Sequence, residues 1–131
     1  MAKSVTPFLM FEGKAQEALD LYMRVLPNSE VVSMQKYGPE GPGPEGTIMH
    51  AIVTLVGQQV MVSDSHVQHA FTFTPSISFW VECNDEAELE RLFDELGKGG
   101  QVYMPLDHYG FSTRFGWVGD RFGVTWQLNL A

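Results

Sequence analysis

The sequence is short of cysteine, of basic residues and of long apolar runs, and each shortage excludes something. A lone Cys83 in 131 residues rules out an internal disulfide and any cysteine-rich zinc site, and its apolar neighbourhood predicts a buried thiol rather than a redox centre. Eight lysines and arginines stand against 16 aspartates and glutamates, a net charge of −8, which repels phosphate backbones and leaves no basic patch for nucleic acid. No apolar run approaches the ~20 residues of a membrane span, and Met1-Ala2-Lys3 leads into no signal-type apolar region. The expectation is a soluble cytoplasmic protein without a nucleic-acid or membrane partner. Neither a nucleophile elbow nor a P-loop occurs, so serine hydrolysis and nucleoside triphosphate chemistry have no support.

What the chain does have is enough apolar material, 44% hydrophobic and 12% aromatic, for a single-domain core. It also has an internal repeat. Thr6-Pro7-Phe8-Leu9-Met10-Phe11 opens an apolar strand, and Thr74-Pro75-Ser76-Ile77-Ser78-Phe79 opens another 68 positions later. After the first, Ala15, Ala18, Leu19, Tyr22 and Leu26 recur at helical spacing until Pro27-Asn28. After the second, Asp85 and Glu88 resemble a capping box, Leu89, Leu92, Phe93 and Leu96 form an apolar stripe, and Gly97 is the expected stop. A short strand follows in each half (Glu30 to Gln35; Gln101 to Met104), then a hairpin. The first hairpin is Ile48 to Val56 and Gln59 to Asp64 about Gly57-Gln58; the second is Phe111 to Val118 and Val124 to Asn129 about Gly119 to Gly123. Each half reads β-α-β-β-β, with modules of about 4–65 and 74–131. A ferredoxin-like sandwich is the alternative, and it leaves one strand of each hairpin unassigned. The Gly-Pro-rich stretch Tyr37 to Gly46 can be neither helix nor central strand and is expected to be a mobile loop, either a lid or a connector.

The opening Thr6 to Phe11 running into Ala15 to Tyr22, the pair Ser63-Asp64, and the close Asp120-Arg121-Phe122-Gly123-Val124-Thr125-Trp126-Gln127 resemble the PhnB-like branch of the vicinal oxygen chelate superfamily, often labelled demethylubiquinone 3-methyltransferase-like. The resemblance implies an α+β fold of duplicated βαβββ modules (glyoxalase/bleomycin-resistance/dihydroxybiphenyl dioxygenase-like), whose curved sheets enclose a small-molecule cavity, commonly within a homodimer. That superfamily spans catalysis and plain sequestration, so fold alone does not choose between them.

Strand alternation assigns faces. Ile77, Phe79 and Val81 share one side and Ser76, Ser78 and Trp80 the other; by the repeat, Leu9 and Phe11 join the buried set and Phe8 and Met10 the cavity set. Leu9, Phe11, Leu19, Tyr22, Ile77, Phe79, Leu92 and Trp126 are the expected cores beneath the helices. In the last strand Thr125, Gln127 and Asn129 are expected in the cavity; the alternative is that they face solvent. The expected ligand wall is Phe8, Met10, Ser76, Ser78, Trp80, Tyr109, Trp117 and Gln127.

In the superfamily's metal-dependent members, ligands come from the first, fourth, fifth and eighth strands. Here those places fall at Pro7 or Phe8, Val62 or Ser63, Ser76 or Ser78, and Gln127, without a histidine or carboxylate, so no metal and no cofactor are expected. His66-Val67-Gln68-His69 has a spacing that some metal sites use, but on a loop nothing fixes both rings. His50 is expected to stand across the hairpin from a residue near Asp64 or Ser65, which would orient it as a general base; an ordinary structural histidine is the alternative. No Gly-rich strand-to-helix turn of the kind that binds S-adenosylmethionine occurs, so the methyltransferase label is not expected to describe the activity. Two functions compete: a module that binds or sequesters a small molecule, and a lyase, isomerase or small-molecule transferase using His50 or an unconventional metal site near His66.

Overall fold

Alternating apolar and polar residues in each half build one four-stranded sheet, and an amphipathic helix covers one of its faces. The computed structural model describes residues 1–131 and divides them into two units, Met1–Ala70 and Phe71–Ala131. The first holds β1 (Phe8–Phe11), α1 (Ala15–Val25), β2 (Glu30–Lys36), β3 (Ile48–Leu55) and β4 (Gln58–Asp64); the second holds β5 (Phe79–Glu82), α2 (Glu86–Gly97), β6 (Gln101–Asp107), β7 (Arg114–Gly119) and β8 (Thr125–Leu130). The sheet orders are β1-β4-β3-β2 and β5-β8-β7-β6, the first pair parallel and the rest antiparallel in each. The fold is the expected α+β duplication of βαβββ.

In the first unit, Ala18, Leu19, Tyr22 and Val25 of α1 are buried with Phe11, Ala51, Val53, Val60 and Val62, and Leu9 is half-buried. The helix has no local side-chain cap at Lys14. Its cap comes from Asp64 at the far end of β4: the Gly13 and Ala15 amides donate to Oδ1 (2.8 and 3.0 Å) and the Ile48 amide to Oδ2 (2.9 Å). One buried carboxylate thus ties together the helix start, the β3 start and the β4 end. The β3–β4 turn is Val56-Gly57, one residue earlier than expected, and both residues have positive φ (49° and 84°), the condition of a type I′ turn.

The Tyr37–Gly46 segment is organised rather than open. Its backbone closes through Tyr37 N–H to Thr47 O and Gly46 N–H to Tyr37 O, and the Tyr37 hydroxyl donates to the Asp64 carbonyl at 3.1 Å. Gly43 lies so near the Tyr37 ring that a Cβ there would meet ring atoms at 2.6–2.8 Å. The segment expected to be a mobile loop is wrapped on the buried Tyr37 ring.

In the second unit, Leu89, Leu92 and Leu96 of α2 are buried with Val118, Trp126 and Leu128, and Phe79 stacks on Trp126 at 4.9 Å. The Asp85 side chain accepts from the Glu88 amide (2.8 Å), while Glu88 Oε1 accepts from the Asn84 amide (2.9 Å), a capping box displaced by one residue. Gly97 is the last helical residue rather than the stop; a Cβ there would meet Val118 at 3.2 Å, and the left-handed residue is Gly99 (φ 74°). Asp120 mirrors Asp64: it accepts from the Phe122 and Val124 amides and from the Trp126 indole N–H at 3.0 Å, tying the β7–β8 turn to the core.

Ile77 is not in the core. It is 74% exposed because β5 begins only at Phe79. The preceding residues are pegged by side chains instead of a ladder: Thr125 Oγ1 donates to Ile77 O (3.0 Å) and Gln127 Nε2 to Ser78 Oγ (2.6 Å).

Candidate functional site

Strand alternation leaves each sheet with a face turned away from its helix, and the two faces differ in chemistry. In the first unit that face holds Phe8 beside Met61 and Met10 beside Ser63, with Ile52 on the other side of Met61. His50 lies on it, half-buried, its ring 6.4 Å from the Phe8 ring and without a side-chain hydrogen bond to the protein. The expected orienting partner is missing. Ala51 pairs with Val62, where a turn centred on Gly57-Gln58 would have paired it with Asp64, and the Asp64 carboxylate is spent on backbone amides on the helix side. His69 bonds Ser65 Oγ (2.9 Å) while His66 packs edge-on against Tyr37 (6.2 Å), so the two loop imidazoles have separate partners.

In the second unit the face is aromatic and polar. Pairing places Trp80, Gln127 and Trp117 in one row and Glu82, Asn129 and Phe115 in the next. Trp80 lies 5.5 Å from Phe115; Phe111 and Tyr109 meet Phe115 edge-on at 5.0 and 5.9 Å; Tyr103 lies 5.1 Å from Trp117. The Tyr109 hydroxyl is taken by Pro105 O. Of the residues expected in a ligand wall, Ser78, Trp80, Tyr109, Trp117 and Gln127 come together here, Phe8 and Met10 lie on the first unit's face, and Ser76 falls in the exposed segment before β5, bonded to Thr74 (2.8 Å). Glu82, Phe111, Phe115 and Tyr103 escaped sequence reasoning. Glu82 was findable, because it stands two residues from Trp80 on one strand and so shares its face.

Two polar atoms on this face are buried without a hydrogen-bond partner: Trp117 Nε1, a donor, and Asn129 Oδ1, an acceptor. These two are the unmet buried demands of the face.

The residues do not fit the superfamily's divalent ion. At the strand positions that supply the superfamily's ligands, the second unit offers only Ser78 and Gln127, which bond each other, and the first offers the Ser63 hydroxyl; Glu82 and His50 stand at other positions, and no three His, Cys, Asp or Glu residues cluster anywhere in the chain. Nor do they fit S-adenosylmethionine at a strand-to-helix turn, since the amides at the start of α1 are taken by Asp64 and that of Glu88 in α2 by Asp85. Cys83 is pushed up to about 11 by burial and by the nearby Glu88 and Glu82, which makes it an inert thiol at neutral pH. No helix is long and apolar enough to cross a membrane.

Residues 3–129 match the family described as 3-demethylubiquinone-9 3-methyltransferase. Among solved structures, the chain is 50% identical to the PhnB protein of Bacillus cereus, which carries the same methyltransferase description, over 98% of this chain and 100% of that one, with a TM-score of 0.94. It is 26% identical to protein YjdN of Escherichia coli K12 over 96% of this chain and 94% of that one. A glyoxylase/bleomycin resistance protein/dioxygenase domain from Frankia shares the fold, at 15% identity and a TM-score of 0.64 over 100% of this chain and 93% of that domain.

Proposed function

The chain belongs to the 3-demethylubiquinone-9 3-methyltransferase family, in the PhnB-like branch of the vicinal oxygen chelate superfamily, and from that premise we propose that it binds a small molecule on the face of β5, β8 and β7 turned away from α2. The observation that carries the reading is the pair of unpartnered buried atoms, Trp117 Nε1 and Asn129 Oδ1, among aromatic rings on one sheet face. A buried polar atom without a partner costs about 1–3 kcal/mol, and a ligand presenting one acceptor and one donor would remove both costs. Aromatic walls with a few fixed polar groups are the usual make-up of such sites. The function we propose is binding without methyl transfer and without the superfamily's metal.

A thermal-shift screen of small, partly aromatic compounds tests it. A specific binder at a hundred times its Kd stabilises the native state by about 2.7 kcal/mol. Trp117→Phe removes the unpartnered indole N–H and should weaken any hit while leaving the unliganded melting temperature unchanged or raised; a hit unaffected by Trp117→Phe and by Gln127→Leu binds elsewhere.

One observation favours a second reading, an enzyme of lyase, isomerase or transferase type: the half-buried His50 imidazole makes no hydrogen bond and is free to take a proton from a ligand resting on Phe8. Turnover lost in His50→Gln with ligand affinity kept would favour it. We also propose a homodimer, because Ile77 and Phe71, which are not among the residues assigned to a ligand face, are 74% and 63% exposed in the single chain, apolar surface that a twofold partner would cover.

A further inference from the structure

The class of ligand follows from what the two rows of the second unit's face are missing, on the reading that this face is the binding site. Glu82 is the only charged side chain in the rows. Its carboxylate accepts from the Trp80 indole N–H (2.7 Å) and from Asn129 Nδ2 (3.0 and 3.2 Å), all neutral donors, and it makes no ion pair. Two arginines of this unit are engaged away from it: Arg114 is held by Glu90 of α2, and Arg121 lies over the Phe122 ring at 4.4 Å. The carboxylate is exposed and without an ion pair, beside an indole and in the same row as the Phe115 ring.

Asn129 is 5% exposed, and its orientation is dictated by Glu82. A carboxylate can only accept, so the amide nitrogen must face it, and Oδ1 is turned to the other side as a buried acceptor without a donor. Three features thus meet within one pair of rows. The exposed carboxylate supplies negative charge with no cation of the chain on it, the buried Oδ1 lacks an N–H or O–H donor, and the rings of Trp80 and Phe115 offer negative π faces that attract positive charge. An anionic ligand would meet Glu82 and a chain of net charge −8. A neutral ligand would satisfy Oδ1 but gain no attraction from Glu82.

We propose that this face takes an organic ammonium: a protonated amine whose N–H donates to Asn129 Oδ1, whose charge is attracted to Glu82 across the Asn129 amide, and whose apolar body packs on Trp80 and Phe115. The unpartnered Trp117 indole N–H asks in addition for an acceptor elsewhere on that body. The site discriminates by charge rather than by shape, and Glu82 is its specificity residue.

The test is a titration of the native full-length protein at neutral pH with two probes of nearly equal shape, benzylammonium and benzyl alcohol, followed by the NMR signals of the indole N–H groups. Benzylammonium should bind at least about tenfold more tightly than benzyl alcohol, a ratio that modest cation–π and charge terms supply. Glu82→Gln keeps an acceptor for the Trp80 N–H and should bring the two probes to equal affinity. Should Glu82→Gln fold poorly, Trp80→Leu removes a side chain already 51% exposed and should lower benzylammonium affinity more than that of the alcohol, read from the Trp117 signal. Equal binding of both probes to the wild type would overturn the ammonium assignment while leaving this face as a binding site. Failure of both probes at millimolar concentration would overturn it too, and the thermal-shift screen then decides the broader reading on its own.

Discussion

Asp64→Asn is the substitution that most directly probes what holds the first unit together. The carboxylate accepts three backbone N–H groups, two at Oδ1 and one at Oδ2, and is 2% exposed. An asparagine of the same shape can keep its oxygen toward Gly13 and Ala15, but then its NH₂ faces the Ile48 amide, donor against donor. A hydrogen bond to a charged acceptor is worth about 1.5–3 kcal/mol, and an orphaned buried donor costs about 1–3 kcal/mol. These overlap, so a loss of roughly 2–4 kcal/mol is expected, with Asp64→Ala at the upper end or beyond because all three amides lose their acceptor. Urea unfolding followed by circular dichroism measures it: at the usual slope of about 1–3 kcal/mol/M, the midpoint should fall by about 1–2 M. Asp20→Asn, an exposed helix carboxylate bonded only to Gln16, is the control and should leave the midpoint unchanged. Amide exchange at Ala15 and Ile48 should quicken in the Asp64 variants. A midpoint for Asp64→Asn equal to that of the control would refute the idea that this one carboxylate ties helix and sheet together.

Other outcomes are equally checkable. Gly100→Ala should destabilise by about 2–4 kcal/mol, because the new Cβ would sit 1.9 Å from the Gly119 carbonyl oxygen, a backbone atom that cannot swing aside; a variant melting like the wild type would contradict this. Cys83 should react with a disulfide reagent at pH 8 on the order of a hundredfold more slowly than an exposed thiol, since its ionisation is raised from 9.0 to about 11 by burial and neighbouring glutamates. The neutral thiol is the form the fold favours, so its contribution to stability is intact below pH 9 and declines as the pH rises from 9 toward 11, where the unfolded chain ionises first. Light scattering at micromolar concentration should give twice the mass of the 14.7 kDa chain, and a monomer mass would remove the homodimer.

Element types and order were legible because apolar periodicity and turn residues agree at most positions: the β3–β4 hairpin differs from its expected bounds by one residue, and the Asp85 cap of α2 was visible. The start of β5 was not. The Thr-Pro repeat aligns the two halves at 68 positions, whereas β1 and β5 begin 71 apart, at Phe8 and Phe79. The difference arises because Thr125 and Gln127, distant in sequence, hold Ile77 and Ser78 through side chains, and no local pattern foretells that. Asp64 and Asp120 were noticed as parts of a motif, but their work as knots depends on amides as far as 51 residues away for Asp64, and on a turn and an indole for Asp120. On the sheet face, Trp80 and Gln127 followed from alternation, and Trp117 was named as part of an aromatic wall. Phe115 was obscured by irregular pairing between β6 and β7, and Glu82, though exposed, by its place at the end of β5.

The three tryptophans provide the most direct measurement of where a ligand sits, because Trp80 and Trp117 lie on the proposed face while Trp126 lies beneath α2 with its indole N–H held by Asp120. In a titration with any compound that raises the melting temperature, the indole N–H signals of Trp80 and Trp117 should move and that of Trp126 should stay. A ligand that shifts Trp126 alone, or that leaves all three indoles still while perturbing residues around Phe8 and His50, would contradict the account.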